Sequence, residues 1–309
     1  QWPMEFQWLL FMPRFLNICL VQGSCNGNCR MCSAGRNVPF TYLSAARYRQ
    51  ILDHIPTADG ITFSAGDSDP LMNPELPEIL AETGRRGLQC DFFTNGLALT
   101  QMASGNILDS GAVGMINVSL DACTPETYLR IRRRNLAQVK EHIAALQEEK
   151  RRRQIDTPRV SLSLVAMEDN IEELPGLVDY AAACGAFMVY VENLIGEHAA
   201  GEENQPALNN PRCREFVEEA CRRAAAHGLA MELPPSLRDN MPGQANAESD
   251  PAFMRNAQAV AATRNRKNEA PSVLPGLGIR KEPAVPDVRS MSEPWPACCT
   301  WLRGVWIRM

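Results

Sequence analysis

Residues 15–32 read FLNICLVQGSCNGNCRMC, an apolar, β-prone run from Phe15 to Val21 that passes into a glycine-containing loop with Cys25, Cys29 and Cys32 inside eight residues. The run predicts a strand, and the loop stands at its carboxyl end. Downstream, the chain alternates between two patterns. Helix-like stretches at Tyr42 to Ile55, Pro74 to Arg86, Leu136 to Arg152, Ile171 to Cys184 and Pro211 to His227 are interleaved with strand-like runs. Those runs lie at Gly60 to Ser64, Gln89 to Thr94, Met115 to Leu120, Val160 to Val165 and Phe187 to Val191, with a weaker one at Leu229 to Leu233. Strands separated by helices of crossover length predict parallel pairing in an α/β fold, and six or seven such units predict a partial (βα)6-type TIM barrel. Barrels of this kind carry their chemistry at the carboxyl ends of the strands, where the three thiols stand.

The 309 residues are 45% hydrophobic and 22% charged, ordinary for a folded chain and unlike a disordered, collagenous or fibrous one. Thirty-one Lys and Arg against 36 Asp and Glu leave a formal net charge of −5, so no cationic excess draws the chain to nucleic acid. No apolar run reaches the ~18 residues that a membrane span needs. The opening QWPMEFQWLLFMPRF carries Glu5, no basic leader and no small-residue cleavage site. The expectation is a cytoplasmic protein with neither membrane nor nucleic-acid partners. Three segments are expected: a core over 1–235, a linker or mobile crossover over 236–295 rich in Asn, Gln, Pro, Arg and Ala, and an apolar, tryptophan-containing piece over 296–309.

Eleven cysteines in a chain long enough to build a core point to metal or redox chemistry rather than a disulfide framework. Thiols at x3 and x2 spacing on a short loop can take three corners of a [4Fe-4S] cube, which leaves the fourth iron open to a substrate or cofactor. A zinc site completed by a distant ligand is the alternative. Cys19, Cys90, Cys123, Cys184, Cys213 and Cys221 read as small core residues. His54, His142, His198 and His227 read as solvated or capping groups.

With these residues in view, the chain resembles the radical S-adenosylmethionine superfamily. The match rests on the cysteine triplet and on motifs at successive strand ends, and it covers roughly Phe15 to Leu233. Ser64-Ala65-Gly66-Asp67-Ser68-Asp69-Pro70 resembles the family's Gly-Gly-Glu-Pro loop, with Ala65 in place of a glycine and Asp67 or Asp69 in place of the glutamate. Thr94-Asn95-Gly96 resembles its Thr-Asn-Gly turn, and Ser119-Leu120-Asp121 its Ser-x-Asp. Thr124-Pro125-Glu126 reads as a capped helix start, in which Glu126, Tyr128 and Arg132 match the following family helix, and Asn170 to Leu174 matches a further stretch. Met31 departs from the aromatic residue usual near the adenine. Taken singly, Thr-Asn-Gly and Ser-x-Asp are also ordinary turns.

The resemblance implies a [4Fe-4S] cluster on Cys25, Cys29 and Cys32, and S-adenosylmethionine held by Ala65, Gly66, Asp67, Thr94, Asn95, Ser119, Asp121 and Arg132, with Arg132 pairing the cofactor carboxylate. It implies reductive cleavage to a 5′-deoxyadenosyl radical that abstracts a substrate hydrogen, with an electron donor such as flavodoxin or ferredoxin. Cys298-Cys299-Thr300-Trp301 resembles the opening of the SPASM or twitch extension, which holds an auxiliary iron-sulfur cluster and accompanies peptide modification. Its further cysteines are expected beyond Met309; a plain apolar strand with two buried cysteines is the alternative there. The implied substrate is a peptide or protein side chain, the rivals being a sugar, aminocyclitol or other small metabolite, or a non-catalytic metal module. Glu192, and Glu197 with His198, are the substrate-side candidates, and Cys123 or Cys184 the candidates to return a hydrogen atom.

Overall fold

Among the described residues, seven of nine strands form one sheet in which every neighbouring pair is parallel. In this computed structural model, which describes residues 13–32, 39–64, 68–194 and 204–238, they are β1 (Phe15–Cys19), β4 (Gly60–Ser64), β5 (Gln89–Thr94), β6 (Val113–Ser119), β7 (Arg159–Ala166), β8 (Met188–Asn193) and β9 (Ala230–Glu232). They lie side by side in chain order. The helices α1 (Ala45–His54), α2 (Leu76–Arg85), α3 (Gln101–Ser110), α5 (Leu136–Arg153), α6 (Leu174–Ala183) and α7 (Cys213–His227) return the chain between strands, and the short α4 (Pro125–Arg132) precedes α5. This is the partial barrel expected from the alternation.

Burial along the strands shows which face is the core. In β4, β5 and β8 every second residue is buried and its neighbours are half-buried, the period-2 signature of a sheet with one face packed and one open. The packed face carries Ile61, Phe63, Phe92, Ile116, Val118, Leu162, Leu164, Val189 and Val191, which join Tyr48, Leu52, Ile79, Leu80, Val139, Ile143 and Leu177 from the helices in one apolar layer. Each large apolar side chain buried there contributes about 1.5–3 kcal/mol. The opposite face carries polar groups between β6 and β7: Asn117 donates to Ser161 Oγ at 2.9 Å and accepts from Ser163 Oγ at 2.7 Å.

The largest local departures from the expected strands and helices fall in four places. The first strand stops at Cys19; Val21–Gln22 (β2) pairs antiparallel with Thr41–Tyr42 (β3) in a separate two-stranded ribbon flanking the cysteine loop. Helix α3 has no counterpart in the expected elements. Its sequence QMASGNILDS offers only Ile107 and Leu108 as large buried side chains, and its real signals are its ends: Thr100 Oγ1 accepts from Ala103 N at 3.3 Å, and Gly111 closes it at φ 58. Ile171 to Cys184 divides into a 3-10 turn, Ile171–Glu173, and α6, which has Pro175 in its first turn. Residues 236–238, expected in the linker, end a short helix, Pro235–Arg238 (α8); the rest of 236–295 and all of 296–309 lie outside the described residues.

The start of α4 also corrects an expectation. Thr124 does not cap the helix with its own side chain. Its hydroxyl donates to Glu173 Oε1, and Glu173 Oε2 accepts the N–H groups of Cys123 at 2.8 Å and Thr124 at 2.9 Å and faces the Cys123 thiol at 2.9 Å. A carboxylate from fifty residues away supplies the cap. Burial opposes the Glu173 charge, but these donors and Thr127 outweigh it and hold its pKa down at about 2. A carboxylate whose folded pKa is depressed adds stability above its unfolded pKa, near 4.3, and loses it as pH falls toward the folded value. Glu173→Gln is therefore expected to cost about 1–3 kcal/mol at pH 7, with the difference from the parent shrinking between about pH 5 and pH 2, as read by urea unfolding across that range.

Candidate active site

The register sets the carboxyl ends of the strands next to one another. Cys19 pairs with Ser64, Thr94 with Val118, Ser119 with Ser163, and Ala166 with Asn193. The cysteine loop leads from β1 and β2 onto this rim, and side chains from three other strand ends meet it.

From the end of β5, Asn95 Nδ2 donates to Asn26 Oδ1 at 2.7 Å and lies 3.6 Å from Cys25 Sγ, while its Oδ1 accepts from Leu97 N at 2.9 Å. Next to it, Gly96 sits at φ 76, where an added Cβ would meet Val139 Cγ1 at 2.7 Å; only glycine closes this turn without displacing α5. From the junction of α4 and α5, Arg134 Nε and Nη2 donate to Asn26 O at 2.9 and 2.7 Å, and Ile131 O accepts from Arg30 N at 2.8 Å. From beyond β7, Asp169 takes the Arg30 guanidinium in a fork, 2.9 and 3.0 Å, with Asn204 Oδ1 accepting from Nε at 2.9 Å. Met31 is buried between Ile131 and Met167. The loop is thus tied to the barrel on three sides.

The sulfurs themselves carry N–H donors. Gly27 N donates to Cys25 Sγ at 3.3 Å, and Arg132 Nη1 donates to Cys29 Sγ at 3.5 Å. A Cβ on Gly27 would stand 3.5 Å from Cys25 Sγ and 3.6 Å from Cys29 Sγ, so Gly27 lies beside both thiols. Among the described residues no three His, Cys, Asp or Glu side chains converge tightly enough for a single metal ion. A spread, soft thiol triplet with N–H donors behind its sulfurs fits a polynuclear cluster better than a lone zinc. Burial pushes the Cys25 thiol pKa up, the Gly27 N–H opposes this, and the charges of Asp69, Cys29 and Cys32 add to the rise.

The acidic residues are engaged within the fold. Asp69, one of two stand-ins for the loop glutamate, is 3% exposed. Its oxygens accept from Leu71 N, Asn95 N and the Thr94 hydroxyl at 2.7 to 3.1 Å, which binds the β4 loop to the β5 turn. Burial raises its pKa, against those donors and the Arg132 charge. Asp121, at φ 62 and 1% exposed, accepts from Val165 N at 2.8 Å and pairs with Arg132 Nε at 2.6 Å. Ser119 stays half-buried beside Ser163, 3.3 Å away. Glu192, half-buried at the end of β8, has its pKa raised by burial and by the Asp121 charge, against Arg132. Ala65, Gly66, Asp67, Glu197, His198, Cys298 and Cys299 lie outside the described residues.

The model of the family described as the radical SAM superfamily matches residues 20–181, just over half of the 309-residue chain. The chain belongs to the radical SAM superfamily. The enzymes of that superfamily use a [4Fe-4S] cluster and S-adenosylmethionine. Two proteins named Probable GTP 3′,8-cyclase, from two strains of Methanococcus maripaludis, are 29% and 30% identical over 134 residues, 43% of this chain. The chain spans 42% of the length of these curated relatives. The fold is also that of radical SAM structures. Streptococcus suis SuiB bound to S-adenosylmethionine superposes with a TM-score of 0.60 at 13% identity, over 77% of this chain and 54% of SuiB. The anSMEcpe protein with bound AdoMet gives 0.54 at 11%, over 71% and 63%. Among the described residues no helix is long and apolar enough to cross a membrane.

Several residues of this radical SAM site escape a reading by motif. Arg30, Asp169, Asn26 and Arg134 hold the loop through contacts 108 to 139 residues apart in sequence, and Arg134 is hidden in the run RIRRR. Of the two cysteines considered as hydrogen donors, Cys184 follows the last turn of α6, at the end of the barrel away from the cysteine loop, and Cys123 is turned onto Glu173 and the Gly176 backbone. Asp169→Ala leaves the mostly buried Arg30 guanidinium without its fork. The expected outcome is a loss of about 2–4 kcal/mol in denaturant unfolding and at least several-fold faster release of iron from the loaded protein to a chelator.

Proposed function

We propose that Cys25, Cys29 and Cys32 hold the cluster, and that the ends of β4, β5 and β6 hold S-adenosylmethionine beside it, to generate a radical that abstracts hydrogen from a peptide or protein side chain. The observation that carries this reading is the thiol triplet itself, on a loop in which Gly27 lies beside Cys25 and Cys29 and which is tied to the barrel rim through Asn26 and Arg30. When bound, the cluster supplies one electron to the sulfonium of the cofactor, whose cleavage gives methionine and the 5′-deoxyadenosyl radical.

The chain's own residues orient and shield. Asn95, fixed on Asn26 and beside Cys25, places the β5 turn at the loop, and Thr94 anchors that turn on Asp69. Because Asp69 is consumed in this way, the cofactor's amino group falls to residues 65–67, with Ala65, Gly66 and Asp67 assigned to it. Ser119 is assigned to the cofactor's polar edge. Met31, packed on Ile131 and Met167, gives the loop an apolar flank. The half-buried interior face, with Glu192 at its end, is assigned to the substrate.

For the substrate, two observations pull apart. The Cys298-Cys299 segment resembles a SPASM opening, and SuiB, of similar fold, is known in a structure with precursor peptide SuiA; both support a peptide. The curated relatives are named for a GTP cyclisation, which supports a small metabolite. We keep 1–235 as the core, 236–295 as a linker, 296–309 as the start of an extension with an auxiliary cluster, flavodoxin or ferredoxin as electron donor, and the cytoplasm as the compartment.

The test is anaerobic reconstitution with iron and sulfide, reduction with dithionite, addition of S-adenosylmethionine, and quantification of 5′-deoxyadenosine. The parent is expected to form it and a Cys25, Cys29, Cys32 triple alanine variant to form less than a hundredth as much. Iron bound by the parent with no 5′-deoxyadenosine formed speaks for a metal module instead.

A further inference from the structure

Arg132 is 8% exposed, and its guanidinium lies between Asp121 and Cys29. On one side Nε meets Asp121 Oδ2 at 2.6 Å; on the other Nη1 donates to Cys29 Sγ at 3.5 Å. Asp121 is itself fixed: Val165 N donates to its Oδ1 at 2.8 Å, Asn170 Nδ2 donates to its carbonyl at 2.9 Å, and its own N–H reaches Ser163 O at 3.2 Å. Asp121 adopts the left-handed backbone conformation, φ 62, that a non-glycine residue takes when its surroundings compel it. The result is a rigid chain of contacts from the end of β7 through Asp121 and Arg132 to one sulfur of the triplet.

We propose that Arg132 is a positioning residue that sets the reduction potential of the cluster through Cys29, with Asp121 holding the guanidinium on that sulfur. This rests on the reading of Cys29 as a cluster ligand. The physical argument is electrostatic. One-electron reduction makes a thiolate-bound cluster more negative, and a buried cation donating N–H to one of its sulfurs stabilises the reduced form more than the oxidised form. In a desolvated site that difference is weakly screened. Asp121 matters because a long arginine side chain without it has other rotamers, and because the carboxylate keeps the guanidinium compensated when no cluster is present. The family resemblance implies that Arg132 pairs with the cofactor carboxylate; in the structure its Nε faces Asp121 Oδ2 and its Nη1 faces Cys29 Sγ. The two roles are separable: a carboxylate clamp acts only when S-adenosylmethionine is bound, and a thiolate contact acts in its absence.

The experiment is a spectroelectrochemical titration of the reconstituted protein without S-adenosylmethionine, followed by EPR of the reduced cluster. Three proteins are compared: the parent, Arg132→Lys, and the double variant Arg132→Gln with Asp121→Asn, which removes both charges together. The midpoint is expected to fall in the double variant and to lie between it and the parent in Arg132→Lys, since an ammonium keeps the charge but lacks the planar fork. Should the double variant assemble no cluster, the ordering of parent and Arg132→Lys decides. Equal midpoints with weakened S-adenosylmethionine binding overturn the proposal in favour of the carboxylate clamp, and equal midpoints with unchanged binding overturn both. A parent that yields no [4Fe-4S] spectrum overturns instead the ligand reading beneath it.

Discussion

A guanidinium removed from water needs compensation close by, and Arg132 obtains it from Asp121 at the carboxyl end of the neighbouring strand. That single pairing constrains much of the rim. It requires β6 to end with Asp121 in a left-handed conformation, requires β7 to present Val165 N to the second carboxylate oxygen, and requires α4 to stop at Arg132 with its side chain turned inward. The cysteine loop is then fitted against this arrangement through Cys29 Sγ and through the backbone contact between Arg30 and Ile131.

The same device recurs around the rim with different partners. Asp69 joins the β4 loop to the β5 turn, Asp121 joins β6 to β7, and Glu173 joins the segment after β7 to the start of α4. In each case a buried or nearly buried carboxylate accepts backbone N–H from a neighbouring unit, where an apolar side chain would give burial but no direction. Hydrogen bonds to charged groups contribute about 1.5–3 kcal/mol each and fix geometry. The apolar layer between sheet and helices supplies most of the stability without specifying where loops above it stand, so these carboxylates convert a stable barrel into an ordered site.

The range of each interaction decides how much of it was readable in the sequence. Strands such as Gly60–Ser64 and Gln89–Thr94 were legible to the residue, because their alternation is local and the helix layer enforces it. The cysteine triplet and the strand-end turns were legible because short spacing encodes them. Helix α3 was not, since a helix of small polar residues announces itself only by Thr100 and Gly111 at its ends. The cap from Glu173 and the fork between Arg30 and Asp169 were invisible for a different reason. Each joins residues 49 to 139 positions apart whose neighbours in sequence give no sign of the other, and Thr124 carried a local capping signal that tertiary contact overrode.

The arginine run 130–134 shows how backbone geometry assigns roles that composition cannot. On one continuous helix, Arg132 and Arg134 would point some 200° apart, so that an inward Arg132 would leave Arg134 in water. Helix α4 instead ends at Arg132, and Arg133 takes a left-handed conformation at φ 55 as its cap, exposed to solvent. That reversal brings Arg134 back toward the loop, where it donates to Asn26 O. Two guanidinium groups thereby reach the same cysteine loop from one short turn, one at a thiol sulfur and one at a carbonyl beside Cys25. Three thiolates on a single loop repel one another, as the raised Cys25 pKa records after its larger burial contribution. The two guanidinium groups bring cationic charge to the loop through side chains held by the barrel rather than by the loop itself.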